Sequence, residues 1–162
     1  MKKINISVAC TEFSNVSELE ADDRELIGKA RFASTAAYAP YSKFYVGAAV
    51  RLDNGKIYTG NNQENSAFPS GICAERVALF AASSQEPDAV VQSIAVYATT
   101  DTFKLHNPVT PCGACRQVMV EYEQNAHTNM RIIMQAGDGK IWITEGMNNL
   151  LPFMFHAEEL QK

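Results

Sequence analysis

Met130-Arg131-Ile132-Ile133-Met134-Gln135 and Lys140-Ile141-Trp142-Ile143-Thr144 are two apolar runs separated only by Ala136-Gly137-Asp138-Gly139. Each reads as a strand. A loop that short cannot carry a crossover, so the two strands pair antiparallel. Upstream of them Cys115, Val118, Met119 and Tyr122 share the inner face of a helix,. Before that helix, Val90 to Ala98 reads as an apolar strand. Another helix starts near Cys73, with Ala74, Val77, Ala78 and Ala81 as its stripe, and it is reached through a polar loop, Asn61 to Gly71.

Nearer the start, Phe44 to Leu52 reads as a strand, Asp53-Asn54-Gly55 as a tight turn and Lys56 to Gly60 as its antiparallel partner,. A first helix opens at Asp22 with acidic residues in its first turn. Leu26, Ala30, Ala33 and Ala37 recur along it, and Pro40 closes the segment,. Ile4, Ile6, Val8 and Cys10 alternate on one face and predict a short strand in an appendage, residues 1–21,. The expectation is one domain, residues 22–162. It is a three-layer α/β/α sandwich around a central mixed five-stranded sheet whose last strand pair is antiparallel.

Composition narrows the class. The chain has 162 residues, 46% hydrophobic and 20% charged, enough for a proper core,. The formal charge is −4, and the basic residues are scattered. A grip on a nucleic acid backbone concentrates Lys and Arg on one face, so a polynucleotide partner is disfavoured while a small neutral nucleoside is not. No apolar run approaches 18 residues, and the N-terminal stretch alternates without a signal-peptide core, which reads as a cytoplasmic chain without a membrane span,. Four cysteines in such a chain point to metal or catalysis before disulfides,.

Three of those cysteines fall in Cys73-Ala74-Glu75-Arg76 and Pro111-Cys112-Gly113-Ala114-Cys115. A catalytic Zn²⁺ takes three protein ligands and leaves a fourth position for water. Cys73, Cys112 and Cys115 are the candidate ligands, each at a helix start, where the dipole and unpaired N–H groups lower a thiol's pKa. Glu75, two residues from the first ligand, is the candidate proton carrier for the water. Three thiolates around Zn²⁺ leave a formal −1, and Arg76 is placed to offset it by donating to the sulfurs. Two rivals are a Cys112–Cys115 redox dithiol and a four-thiolate structural zinc that recruits Cys10. The redox dithiol leaves the third thiol and its carboxylate without a use. Cys10 belongs to the alternating apolar run. A zinc scaffold without turnover is a further reading.

The ligand-x-Glu and Pro-Cys-x-x-Cys pattern resembles that of zinc-dependent deaminases. From about Asp22 onward the chain resembles the small, homotetrameric cytidine deaminases. The motifs that carry this are Pro40-Tyr41-Ser42-Lys43-Phe44 with Val46-Gly47-Ala48-Ala49, Asn62-Gln63-Glu64-Asn65, Ile72-Cys73-Ala74-Glu75-Arg76 and Pro111-Cys112-Gly113-Ala114-Cys115-Arg116-Gln117. Leu150-Leu151-Pro152 with Phe155 fits the family's tail. The resemblance implies the cytidine-deaminase fold and one Zn²⁺ per chain. It also implies hydrolysis of cytidine and 2′-deoxycytidine to uridine and 2′-deoxyuridine with release of ammonia, a pyrimidine-salvage reaction. By the same resemblance Glu75 moves protons between water, ring N3 and the departing amine. Asn62 and Glu64 hold the ribose 3′-hydroxyl, and Phe44 walls the nucleoside. The N–H of Ala74 and the carbonyl of Thr110 read the base, and Phe155 stacks on the base in a neighbouring subunit's site. Here Phe153 and Met154 precede that aromatic where the family has small residues, which leaves Phe153 and Phe155 as two candidates for the stacking role.

The closest alternative is a blasticidin-type deaminase of an antibiotic nucleoside, which shares the cysteine motifs. Asn62-x-Glu64 together with Arg76 favours cytidine. Nucleotide and tRNA deaminases usually have His as first ligand and parallel last strands. Cys73 and the four-residue loop at 136–139 argue against them.

Overall fold

The computed structural model of the chain describes residues 1–137, 139–156 and 160. Asp138, inside the short loop that forces the last strand pair to be antiparallel, lies outside them. Among the described residues the regular elements are β1 (Thr11–Phe13), α1 (Ala21–Ser34), β2 (Phe44–Leu52), β3 (Ile57–Asn61), α2 (Ala74–Gln85), β4 (Val91–Thr100), α3 (Gly113–Ala126), β5 (Arg131–Ala136) and β6 (Ile141–Glu145). The sheet runs β1-β6-β5-β4-β2-β3. Among these strands only β4 and β5, joined through α3, pair in parallel; β5 and β6 are antiparallel, as their short loop requires,.

Alternation along the strands assigns the two faces of the sheet. Ala49, Ala95, Tyr97, Ile133, Ile141 and Ile143 pack with Leu26, Ile27 and Ala30 of α1. Ala48, Val50, Ile94, Val96, Ile132 and Met134 pack with Ala74, Ala78 and Leu79 of α2 and Met119 and Val120 of α3. This is the expected three-layer sandwich. The sheet meets its helices very closely at two glycines. A Cβ at Gly47 would lie 2.0 Å from the Ala30 carbonyl oxygen, and one at Gly60 would lie 2.5 Å from the Ala78 nitrogen. Neither position has room for a side chain.

Three expectations need correction. The sheet has six strands rather than five, because β1 adds to the free edge of β6. That strand is not the alternating run Ile4 to Cys10, which has no regular structure; it is Thr11–Phe13. A strand forms where a partner edge accepts it, and β6 is only five residues long. The junction is fastened by side chains. Glu12 accepts from Lys140 Nζ at 2.7 Å and Trp142 Nε1 at 2.8 Å, and Thr144 donates its hydroxyl to the Ala9 carbonyl at 2.7 Å. The first helix ends at Ser34, before Ala37. Its last turn tightens through Thr35, Ala36 and Ala37 amides onto carbonyls three residues back, and Tyr38 then turns to bond Asn62,. No helix among the described residues is long and apolar enough to cross a membrane.

Candidate metal centre and active site

Two helices begin at the same place. Cys73 is the N-cap of α2 and Cys112 the N-cap of α3, both in extended backbone conformation. Ala74 then opens α2, and Cys115 is the third residue of α3. The sulfurs of Cys73, Cys112 and Cys115 all lie within 4.8 Å of one another, with Cys73 and Cys112 3.9 Å apart. Thiolates at tetrahedral corners around zinc, with Zn–S near 2.3 Å, stand about 3.8 Å apart, so the donor set fits the ion in chemistry and in spacing. Cys10, the possible fourth thiolate, is exposed and outside this cluster.

The charge of the centre is unevenly held by its own groups. A hydrogen bond from Cys115, with Arg76 and Cys112 adding to it, lowers the Cys73 thiol to about 5 despite burial. The same contact with Cys73, together with burial, pushes the Cys115 thiol well up. Neighbouring sulfurs cannot all ionise without a cation between them. Arg76 Nη2 lies 3.8 Å from Cys73 Sγ, in the donating position expected of it. Its buried Nε–H has no acceptor among the described residues. A centre whose guanidinium donates to sulfur is suited to holding thiolates, and hence a dication.

Glu75 is the second residue of α2 and is 4% exposed. Burial raises its carboxyl above the ordinary range, and the Cys73 thiolate adds to the effect. Its own N–H, the Cys115 thiol and Arg76 pull the other way. A carboxyl that keeps its proton more readily than usual is fitted to both take and give one.

The centre forms one wall of a cavity of about 600 Å³, a size suited to a nucleoside,. Phe44, Asn62, Glu64, Ala74, Glu75 and Thr110 all line it, with Cys73 and Cys112. Asn62 and Glu64 also hold the wall together. Asn62 Oδ1 accepts from the Val46 amide at 2.8 Å, and its Nδ2 donates to the Phe44 carbonyl at 2.9 Å. Glu64 accepts from the amides of Tyr41 at 2.9 Å and Ser42 at 3.3 Å, and from the Ser42 hydroxyl. An amide has a second N–H and a carboxylate four lone-pair sites, so these bonds do not exhaust either group. The Thr110 hydroxyl accepts from Arg116 Nη2 at 2.7 Å, while Arg116 Nε binds the Pro111 carbonyl at 2.7 Å and Nη1 the Leu150 carbonyl at 2.6 Å. Arg116 thus fixes the 110–111 loop and Leu150 to α3.

Phe155 is not among the residues lining this cavity. It is 49% exposed on the tail.

Three aromatic residues escaped the reading of the sequence. Tyr41 and Phe68 line the cavity and meet edge to face at 6.3 Å. Phe103, from the loop after β4, stacks on Phe44 at 6.4 Å with an 18° angle between rings. Tyr41 stood in a quoted motif; Phe68 and Phe103 were loop aromatics with no periodic signal.

Comparison with known proteins agrees with this centre. The family described as "Cytidine and deoxycytidylate deaminase zinc-binding region" matches residues 20–128. The chain is 42% identical over 139 residues to a cytidine deaminase of Sporosarcina psychrophila, covering 86% of this chain and 95% of that one. It is 43% identical to a cytidine deaminase of Halalkalibacterium halodurans, covering 86% and 98%. Among solved structures, the cytidine deaminase of Burkholderia pseudomallei superposes with a TM-score of 0.70 at 38% identity, covering 81% of this chain and 97% of that one. Likeness of this extent spans both helix starts and the cavity they enclose, and the chain belongs to the cytidine deaminase family.

Proposed function

We propose that the chain hydrolyses the 4-amino group of cytidine and 2′-deoxycytidine, releasing ammonia and the uracil nucleoside. The observation that carries this reading is a buried carboxyl, Glu75, beside three clustered thiols in the wall of a nucleoside-sized cavity. Cys73, Cys112 and Cys115 hold one Zn²⁺. Bound there, zinc supplies Lewis acidity and lowers the pKa of a water. Glu75 accepts a proton from the attacking water, passes it to ring N3 so that C4 becomes electrophilic, and delivers another to the departing amine. Arg76 offsets the thiolate charge. Asn62 and Glu64 take the 3′-hydroxyl, Phe44 packs on the nucleoside, and the Ala74 N–H and Thr110 carbonyl read the base. The relatives' names give no support to the antibiotic-nucleoside alternative.

The active form in this reading is a homotetramer with sites at subunit interfaces, Phe155 of one copy covering the cavity of another. Exposed aromatics at the cavity support it, since Tyr41 is 58% and Phe68 79% exposed,. Residues 1–21 act as an appendage to the catalytic domain, 22–162, and the enzyme serves pyrimidine salvage in the cytoplasm, where thiols stay reduced. Sedimentation and a 1–13 deletion test the assembly and the appendage.

The first experiment is cytidine turnover by ultraviolet absorbance with zinc-loaded protein, beside Glu75→Gln. The expected result is loss of the cytidine signal, with the variant slower by about 10²–10⁴-fold at unchanged zinc content. A variant as fast as the unaltered protein refutes the role of Glu75; no turnover of either nucleoside by zinc-loaded protein refutes the activity.

A further inference from the structure

The tail that follows β6 lies against α3 in an ordered way. Leu150, Leu151 and Met154 pack on the core beneath the sheet's α2/α3 face, while Phe153 and Phe155 point outward, 85% and 49% exposed. Met154, partly buried against the core, stands between two phenylalanines that are both turned out. Two aromatics are then available, and only one is held. The Gln117 side-chain amide donates from Nε2 to the Phe155 carbonyl at 2.8 Å and accepts the Phe155 N–H on Oε1 at 3.1 Å. One residue's backbone is thus bonded on both its polar atoms by one planar group. Seven residues further along α3, Gln124 bonds the His156 ring. Gln117 is two residues past Cys115, on the same first turns of α3 that carry the candidate ligands.

We infer that Gln117 is a positioning residue that selects Phe155, rather than Phe153, as the aromatic presented to a second copy's cavity, and that ties this presentation to the helix of Cys112 and Cys115. The inference deepens the functional reading above and rests on it. Phe153, two residues earlier in the tail, has no such clamp among the described residues and is the more exposed of the two. A ring whose backbone is already fixed loses less freedom when it covers a ligand, so the clamp acts on binding rather than on the chemical step.

The test is Gln117→Leu in the full-length, zinc-loaded protein, assayed with cytidine beside Phe155→Ala, Phe153→Ala and the Gln117→Leu/Phe155→Ala double variant. Leucine keeps helix propensity and removes both bonds. The expected result is a KM raised about tenfold at nearly unchanged kcat and zinc content, the size of one or two lost hydrogen bonds. Gln117→Leu should add little once Phe155 is gone, and Phe153→Ala should match the unaltered protein. In the unaltered protein the Phe155 amide should exchange hydrogen more slowly than that of Phe153. Additive effects in the double variant, a loss carried by kcat alone, a Phe153→Ala defect equal to that of Phe155→Ala, or equal exchange at the two amides would each overturn the inference. An unaltered protein that does not deaminate cytidine fails the underlying functional reading instead, whereas one that does, with Gln117→Leu unchanged, fails the clamp alone.

Discussion

Gly60→Ala should damage the metal centre without touching it. Gly60 lies in β3, where the sheet meets α2. Its added methyl would stand 2.5 Å from the Ala78 nitrogen, 2.7 Å from the Ala74 carbonyl oxygen and 2.8 Å from Val77 Cβ. Two of the three are helix backbone, so no side chain can swing away. Ordinary contact begins near 3.4 Å, and α2 must therefore rise by about 0.9 Å from the sheet,. Cys73 and Glu75 move with α2, while Cys112 and Cys115 stay with α3. A metal site tolerates about 0.2 Å in its ligand distances, so the three sulfurs lose their common centre. Overpacking alone costs about 1–3 kcal/mol and falls equally on metal-free and zinc-loaded protein. The displaced ligand adds a loss of about 10–100-fold in zinc affinity, which removes about 1.4–2.7 kcal/mol of zinc-linked stabilisation from the loaded form only. Denaturant unfolding of both forms, with a chromophoric-chelator competition for zinc, separates the two contributions. Equal destabilisation of both forms at native zinc affinity would refute the reasoning, because α2 would then have absorbed the methyl without carrying Cys73 away.

Gly28 offers the opposite case, a glycine inside α1 with nothing within 4 Å of an added Cβ. Gly28→Ala should stabilise the protein by about 0.5–1 kcal/mol in thermal unfolding and leave turnover unchanged. Arg116→Leu removes the bonds to Thr110, Pro111 and Leu150 and should cost about 2–4 kcal/mol, with a raised KM for cytidine as the 110–111 loop loosens; unchanged unfolding would show that loop held by other means,. The Ser42 hydroxyl, then the amides of Tyr41 and Ser42 and the charge of Lys43, hold the Glu64 carboxyl below the usual range. Because the folded value is the lower one, the stabilisation is complete above the pKa of an unstructured glutamate and disappears as pH falls through the folded value. A carbon-13 titration of Glu64 should give a midpoint below that of glutamate in an unfolded peptide, and a midpoint at or above it would refute the contact.

What could be read from residues alone was local or covalently constrained. Four residues cannot cross a sheet, so the antiparallel β5–β6 pair was legible from the loop between them,. Helix starts at Cys73 and Cys112 were legible because the apolar stripes begin just after the thiols, and the ligand-x-Glu and Pro-Cys-x-x-Cys spacings carry their chemistry with them. Everything that depended on a partner from elsewhere in the chain was settled only by the tertiary structure. Alternation in Ile4 to Cys10 resembles a strand, yet the edge of β6 takes Thr11–Phe13, whose Glu12 meets Lys140 and Trp142. Asn62 and Glu64 were readable as polar groups for a sugar, but not as the groups that hold Val46, Phe44, Tyr41 and Ser42 in the cavity wall. The Phe103–Phe44 stack, the closeness of Gly47 and Gly60 to their helices and the outward turn of Phe155 are likewise long-range. Hydrogen bonds and steric limits within a few residues are written into the order of the chain. Which surfaces meet depends on how all the layers pack at once, and no short stretch contains that information.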